Sequence, residues 1–157
     1  MSERVYLETS IISYLAARPS RDLVTAARQQ LTHEWWTRRR SAFEICISEL
    51  VVAEAAAGDP DAAERRARLI LDLPSLNISD EAIALARNLV QWAGLPARAA
   101  ADALHISLAA CHGIDYLLTW NSTHIANAEI RPKVERTCRD SGYEPPVLCT
   151  PDELMGG

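Results

Sequence analysis

Five short apolar or β-branched runs, each followed by a stretch of helical character, restrict this chain more than any other feature of its sequence. The runs are Val5 to Leu7, Phe43 to Ile47, Leu76 to Ile78, Tyr116 to Trp120 and Val147 to Cys149. Strands that alternate with helices imply parallel pairing through right-handed crossovers, with helices covering both faces of a central sheet. The expected fold is a three-layer α/β/α sandwich. At 157 residues, 48% of them hydrophobic, the chain can bury one core and needs no second domain, so residues 1–157 read as a single unit.

The helical stretches carry recognisable punctuation. Ser10 to Ala17 and Asp22 to Arg39 form the first, interrupted near Pro19, and Leu23, Ala27, Leu31 and Trp35 recur at steps of four, as one face of a helix would. Ser48, Asp59 before Pro60, Ser79 before Asp80 and Glu81, and Thr150 before Pro151 each read as a helix N-cap. Gly94 reads as a helix terminator, after which Leu95 and Pro96 open a helix running through Asp102 to Cys111.

No stretch approaches the roughly 18 uninterrupted apolar residues of a membrane span, and the first residues lack a signal-peptide layout, so a soluble cytoplasmic protein is expected. The four cysteines, Cys46, Cys111, Cys138 and Cys149, form no CxxC pair and have no histidine at finger-like spacing; reduced thiols are expected. A net charge of -5 argues against coating nucleic acid by bulk electrostatics, so any contact with a polyanion has to be local. The cationic residues, 15 arginines and the single Lys133, are partly grouped, at Arg38 to Arg40 and around Arg65, Arg66 and Arg68. Arginine suits bidentate phosphate contact, whereas a charge run at a helix end is more often a solvated face.

Ligands of open parallel sheets bind beyond the carboxyl ends of the strands. There the sequence places Glu8, Thr9 and Ser10 after the first run, Ser48 and then Glu54 after the second, and Thr119, Trp120 and Asn121 at the end of the fourth. Asp102, in the second turn of the Pro96 helix, can face the same edge. Each residue also has a plain alternative. Glu8 and Asn121 could simply cap helices, Glu54 could be a surface glutamate, and Asp102 could pair with Arg98 one turn earlier, which is worth only a few tenths of a kcal/mol. His105 and His124 read as structural histidines, His33 and His112 as helix-surface ones, and Trp35 and Trp36 as core and interface plugs rather than a base-stacking platform.

Taken together, three carboxylates and an amide at matching strand ends concentrate like charge, which a cation would resolve. Hard oxygen ligands select Mg²⁺ or Mn²⁺, which keep waters and are completed by substrate phosphate oxygens.

The segment Val5-Tyr-Leu-Glu-Thr-Ser-Ile-Ile-Ser13 resembles the opening strand of PIN-domain ribonucleases. In order after it, Ile47 to Glu54, Ala101 to Ala109 and Leu118 to Asn127 resemble the segments carrying that family's second, third and fourth sites, and the likeness extends to Thr150-Pro-Asp-Glu-Leu154. The resemblance implies a five-stranded parallel sheet, Mg²⁺- or Mn²⁺-dependent endoribonuclease activity and commonly a homodimer. It also implies a VapC-like toxin of a toxin-antitoxin pair, neutralised by a cognate antitoxin. Glu8, Glu54 and Asp102 are the implied metal ligands, Asn121 stands at the fourth position, and Thr9, Ser10 and Thr119 would hold the acids and waters in place.

This sequence departs from the family pattern twice. Glu8 stands where aspartate is usual and is longer by a methylene; Asn121 stands where an acid is common and leaves the site one negative charge poorer. A competing reading keeps the fold as a module that grips RNA or an antitoxin without cleaving. An aspartyl-phosphate phosphatase or receiver domain is disfavoured, since each needs an aspartate where Glu8 stands and a well-placed lysine. No GxGxxG follows any strand, which disfavours dinucleotide binding.

Overall fold

The computed structural model describes residues 2–156. Five strands, β1 (Glu3–Leu7), β2 (Phe43–Ser48), β3 (Ser75–Leu76), β4 (Tyr116–Leu118) and β5 (Val147–Cys149), pair in parallel in the order β3-β2-β1-β4-β5. The chain starts in the middle of the sheet, steps outward to β2 and β3, then returns to the other side of β1 for β4 and β5. Right-handed crossovers then require the helices before β3 to cover one face and those after it the other.

The packing follows that rule. On the first side α1 (Thr9–Ala16) packs against α2 (Leu23–Arg39), α3 (Glu49–Ala55) and α4 (Pro60–Ile70). On the second, α5 (Asp80–Trp92) packs against α6 (Ala100–Cys111) and α7 (Arg131–Asp140). The sheet, covered on both faces, buries Val5, Tyr6, Leu7, Cys46, Ile47, Leu117, Leu118, Leu148 and Cys149, as a parallel sheet must. The three-layer α/β/α sandwich with a five-stranded parallel sheet is therefore the observed architecture.

The N-caps fall where the sequence puts them. Ser48, Asp59 and Ser79 accept the backbone N–H of Val51, Ala62 and Ala82, and Thr150 and Glu153 form a capping box over the 3-10 turn at Pro151–Leu154. Gly94, at φ +76°, ends α5 in the left-handed conformation that a terminating glycine supplies at no steric cost.

Four details differ from the sequence reading. The third strand is Ser75–Leu76, not 76–78, because the Ile78 N–H is taken by the Glu49 carboxylate at 2.7 Å instead of by a neighbouring strand. The fourth ends at Leu118, and Trp120 leaves the ladder when its N–H bonds Ser10 Oγ. A 3-10 turn at Ala97–Ala99 precedes α6, which puts Asp102 in the first α-helical turn. Along α2, steps of four do not mark the buried stripe. Leu23 is 87% exposed and Ala27 is exposed, whereas Gln29, Thr32 and Trp35 are buried, because Gln29 is held by the Ser20 N–H and the Arg18 carbonyl. The arginine runs do structural work: Arg40 and Arg39 lie over the rings of Trp36 and Phe43, and Arg65 and Arg66 donate to helix-end carbonyls of Ala16, Ala55 and Ala57.

Trp35 anchors the first helical layer. It is fully buried and stacks on Phe43 with centroids 6.0 Å apart. Truncating it should leave a cavity that this packed layer cannot close, so Trp35→Ala should lower the unfolding free energy by about 3–5 kcal/mol in urea titrations. A loss below about 1 kcal/mol would mean that α2 does not depend on this contact.

Candidate metal centre

The strand order reverses at β1, and in sheets of this kind such a reversal marks a ligand crevice beyond the carboxyl ends of the two strands, here β1 and β4. Glu8 and Thr119 are its two lips. The Glu8 N–H continues the ladder to the Leu118 carbonyl at 3.0 Å, and the Thr119 N–H donates to the Cys149 carbonyl at 3.0 Å. Extended backbone at Glu8 (φ -74°, ψ 158°) makes it the N-cap of α1, and its side chain turns back to accept the Ser10 N–H at 3.1 Å. Two hydroxyls join on the same oxygen, Ser10 Oγ at 2.5 Å and Thr119 Oγ1 at 2.6 Å. Glu8 is 7% exposed, and its Oε1 is saturated while Oε2 has no hydrogen-bond partner among the described residues.

Glu54 reaches the crevice from α3 with the same asymmetry. Its Oε1 accepts Thr9 Oγ1 at 2.5 Å and lies 2.7 Å from His105 Nε2, and its Oε2 has no partner among the described residues. Burial disfavours the ionised carboxyl, but the hydrogen bond from His105, the electrostatic attraction of that ring and the Thr9 hydroxyl together outweigh it and hold the Glu54 pKa below the ordinary glutamate range. His105 is 1% exposed and bonds Tyr6 Oη through Nδ1 at 2.6 Å. Glu8, Glu54 and His105 each offer a ligand atom within 4.8 Å of the others.

Asp102 stands outside that tight group. It lies one turn before His105 on α6, on the same helix face. Its carboxylate is engaged by His124 Nδ1 at 2.9 Å, and no ion pair to Arg98 forms among the described residues. Asn121 acts through its side-chain oxygen on the loop after β4, accepting the N–H groups of Thr123 at 3.1 Å and His124 at 3.0 Å. Asn121 thus shapes the turn that carries His124 to Asp102, and Thr119 Oγ1 in turn accepts the Asn121 N–H.

From the sequence His105 and His124 read as structural residues, and Tyr6 is not among the candidates there. The signals were available: Tyr6 and Glu8 share one face of a strand, and a phenol fully buried there has to find a polar partner. His105 follows Asp102 by one helical turn.

The donor set suits a hard divalent cation. Two carboxylates each have one oxygen fixed by hydroxyl, amide or imidazole donors and one left over, and they sit close enough that their mutual repulsion would be relieved by a positive ion. Without the ion, the depressed pKa of Glu54 ties stability to pH. The ionised form contributes stability in full above the ordinary glutamate pKa, and that contribution disappears as pH falls through the lower value held in the fold. Urea unfolding across the acid range should therefore show a stability loss that Glu54→Gln lacks; equal slopes in both proteins would refute the assignment.

Among curated proteins none matches this chain. The family model described as "PIN domain" matches residues 5–129, a span that takes in Glu8, Glu54, Asp102 and Asn121 and stops short of α7 and β5. Proteins of that family are generally metal-dependent nucleases. With well over half of its length matched, and with a five-stranded parallel α/β/α architecture, the chain belongs to the PIN domain family.

Proposed function

We propose that the protein is a Mg²⁺- or Mn²⁺-dependent endoribonuclease whose metal is held by Glu8 and Glu54, with Asp102 completing the acidic set. The observation that carries this reading is the pairing of two immobilised carboxylates, each with one unpartnered oxygen, at the strand-order reversal. Held by such oxygens, a divalent ion would supply a bound water of lowered pKa and stabilisation for the leaving oxygen of a phosphodiester. Thr9, Ser10 and Thr119 keep the acids from rotating as charge builds up in the crevice, and His124 fixes Asp102 through one oxygen, the other taking no hydrogen bond among the described residues.

Contact with RNA needs local positive charge on an acidic protein, and Arg28 supplies it. Its guanidinium lies over the indole of Trp120, 5.4 Å from the ring centroid, and forms no ion pair among the described residues. Trp120 directly follows Thr119, with Nε1 tied to Thr32 Oγ1 at 2.7 Å and Tyr14 edge-on at 6.2 Å. An arginine on an aromatic face beside the metal residues is suited to a phosphate or a base of single-stranded RNA.

Cleavage of a fluorogenic RNA in Mg²⁺ or Mn²⁺ tests the proposal. Asp102→Asn and Glu8→Gln should each reduce the rate by on the order of 10²-fold or more, with a thermal midpoint close to the parent's. Parental cleavage by both variants would show the site to be misassigned.

One observation favours a second reading. The Asn121 oxygen is spent on the turn amides, so the fourth position adds no charge and the site binds its ion more weakly. Absence of metal-dependent cleavage by the parent, together with RNA retention in filter binding, would make the protein a binding module. As a VapC-like toxin in the cytoplasm it would have a cognate antitoxin, and a short neighbouring reading frame encoding a DNA-binding protein is the matching genomic observation. A homodimer would cover the apolar groove lined by Ile83, Ala86, Val90 and Leu104, and a monomer in sedimentation equilibrium would exclude it.

A further inference from the structure

His105 is the member of the Glu8–Glu54–His105 group whose duty the carboxylates do not settle. Its distance from them allows it to be a third ligand. Both of its nitrogens are nevertheless engaged, Nδ1 with Tyr6 Oη at 2.6 Å and Nε2 with Glu54 Oε1 at 2.7 Å. Tyr6 Oη also meets Ser48 Oγ at 2.7 Å, and Ser48 Oγ accepts the Val51 N–H at the start of α3. Tyr6 and Ser48 are 0% exposed and His105 is 1% exposed, so bulk solvent does not reach the chain to satisfy a stray proton.

The hydrogens of this buried chain can be counted. Three hydrogen bonds, Ser48 to Tyr6, Tyr6 to His105 and His105 to Glu54, need three protons. The two hydroxyls bring one each, and an imidazole protonated only on Nε2 brings the third. Ser48 then donates to Tyr6, Tyr6 to Nδ1, and Nε2–H to the Glu54 carboxylate. An imidazolium would add a fourth proton and leave one buried hydroxyl hydrogen without an acceptor. The opposite tautomer would turn an imidazole lone pair against a carboxylate. Burial raises the Tyr6 pKa far above its ordinary value, so the phenol keeps the proton the chain requires.

From this, and resting on the metal-site reading above, we infer that His105 is a positioning residue and not a metal ligand. Tyr6 fixes it as a neutral imidazole protonated on Nε2, and that N–H clamps Glu54 Oε1 so that Oε2 is the oxygen left for the cation. Ser48 ties the clamp to the first turn of α3, the helix that carries Glu54 itself, so strand β1 and helices α3 and α6 are locked together at the group that sets the Glu54 rotamer.

The test is long-range ¹H–¹⁵N NMR of the histidine ring, combined with Mn²⁺ and Mg²⁺ titrations followed by calorimetry. In the metal-free parent, His105 should show a protonated Nε2 and an unprotonated, hydrogen-bonded Nδ1, and saturating Mg²⁺ should leave Nε2 protonated. In Tyr6→Phe, with folding verified by circular dichroism, both ring nitrogens should move toward tautomer-averaged shifts and Mn²⁺ affinity should fall about 10–100-fold. Loss of the Nε2 proton on Mg²⁺ binding, a different tautomer in the parent, or unchanged shifts and affinity in Tyr6→Phe would each overturn the inference. Failure of the parent to bind either ion would instead remove the metal-site reading on which the inference rests, and the inference with it.

Discussion

The structure turns on a junction of two strands. Where β1 ends, the Glu8 N–H closes the ladder to Leu118, and the Glu8 carboxylate is at once pulled back onto Ser10 and across to Thr119. That residue joins the sheet, caps the first helix and forms one side of the crevice. The order β3-β2-β1-β4-β5 leaves a gap only beside β1, since the chain departs from it in both directions, and there Glu8 after β1 meets Glu54 of α3 and His105 of α6, with Asp102 one helical turn before His105. Bringing carboxylates into a half-buried crevice is unfavourable unless each is met by donors, and the hydroxyls of Thr9, Ser10 and Thr119 are those donors.

The two glutamates share one design. In each, the oxygen facing the protein receives two or three hydrogen bonds and the other receives none from the described residues. Glutamate at position 8 curls back to its own helix amide through one oxygen and leaves the other without a hydrogen bond among the described residues. The amide at 121 serves the loop instead, and through His124 it settles where Asp102 points.

The architecture was legible because apolar runs and helix caps are local signals. All five strands, and caps at Ser48, Asp59, Ser79 and Thr150, follow from residues within a few positions of one another. Helix α7 was not legible: in Arg-Pro-Lys-Val-Glu-Arg-Thr-Cys-Arg-Asp only Val134, Thr137 and Cys138 are buried, too faint a stripe to stand out. The stripe on α2 was misplaced because its buried positions include Gln29 and Thr32, polar residues whose burial depends on partners elsewhere in the chain. Position alone places Glu8 directly after a strand and Glu54 and Asp102 on helices. Their connections could not be placed so, since Tyr6 to His105, Glu54 to His105 and Asp102 to His124 are side-chain contacts between distant segments that no periodicity encodes.

If Glu8 and Glu54 share one cation, their unpartnered oxygens must hold it, and a crystal grown with Mn²⁺ and measured at the manganese absorption edge addresses this directly. An anomalous peak at about 2.0–2.4 Å from an oxygen of each glutamate, with His105 still bonded to Glu54, is the predicted result. A fully occupied peak elsewhere on the surface, or one bound through the His105 ring nitrogen in place of a glutamate, would contradict it.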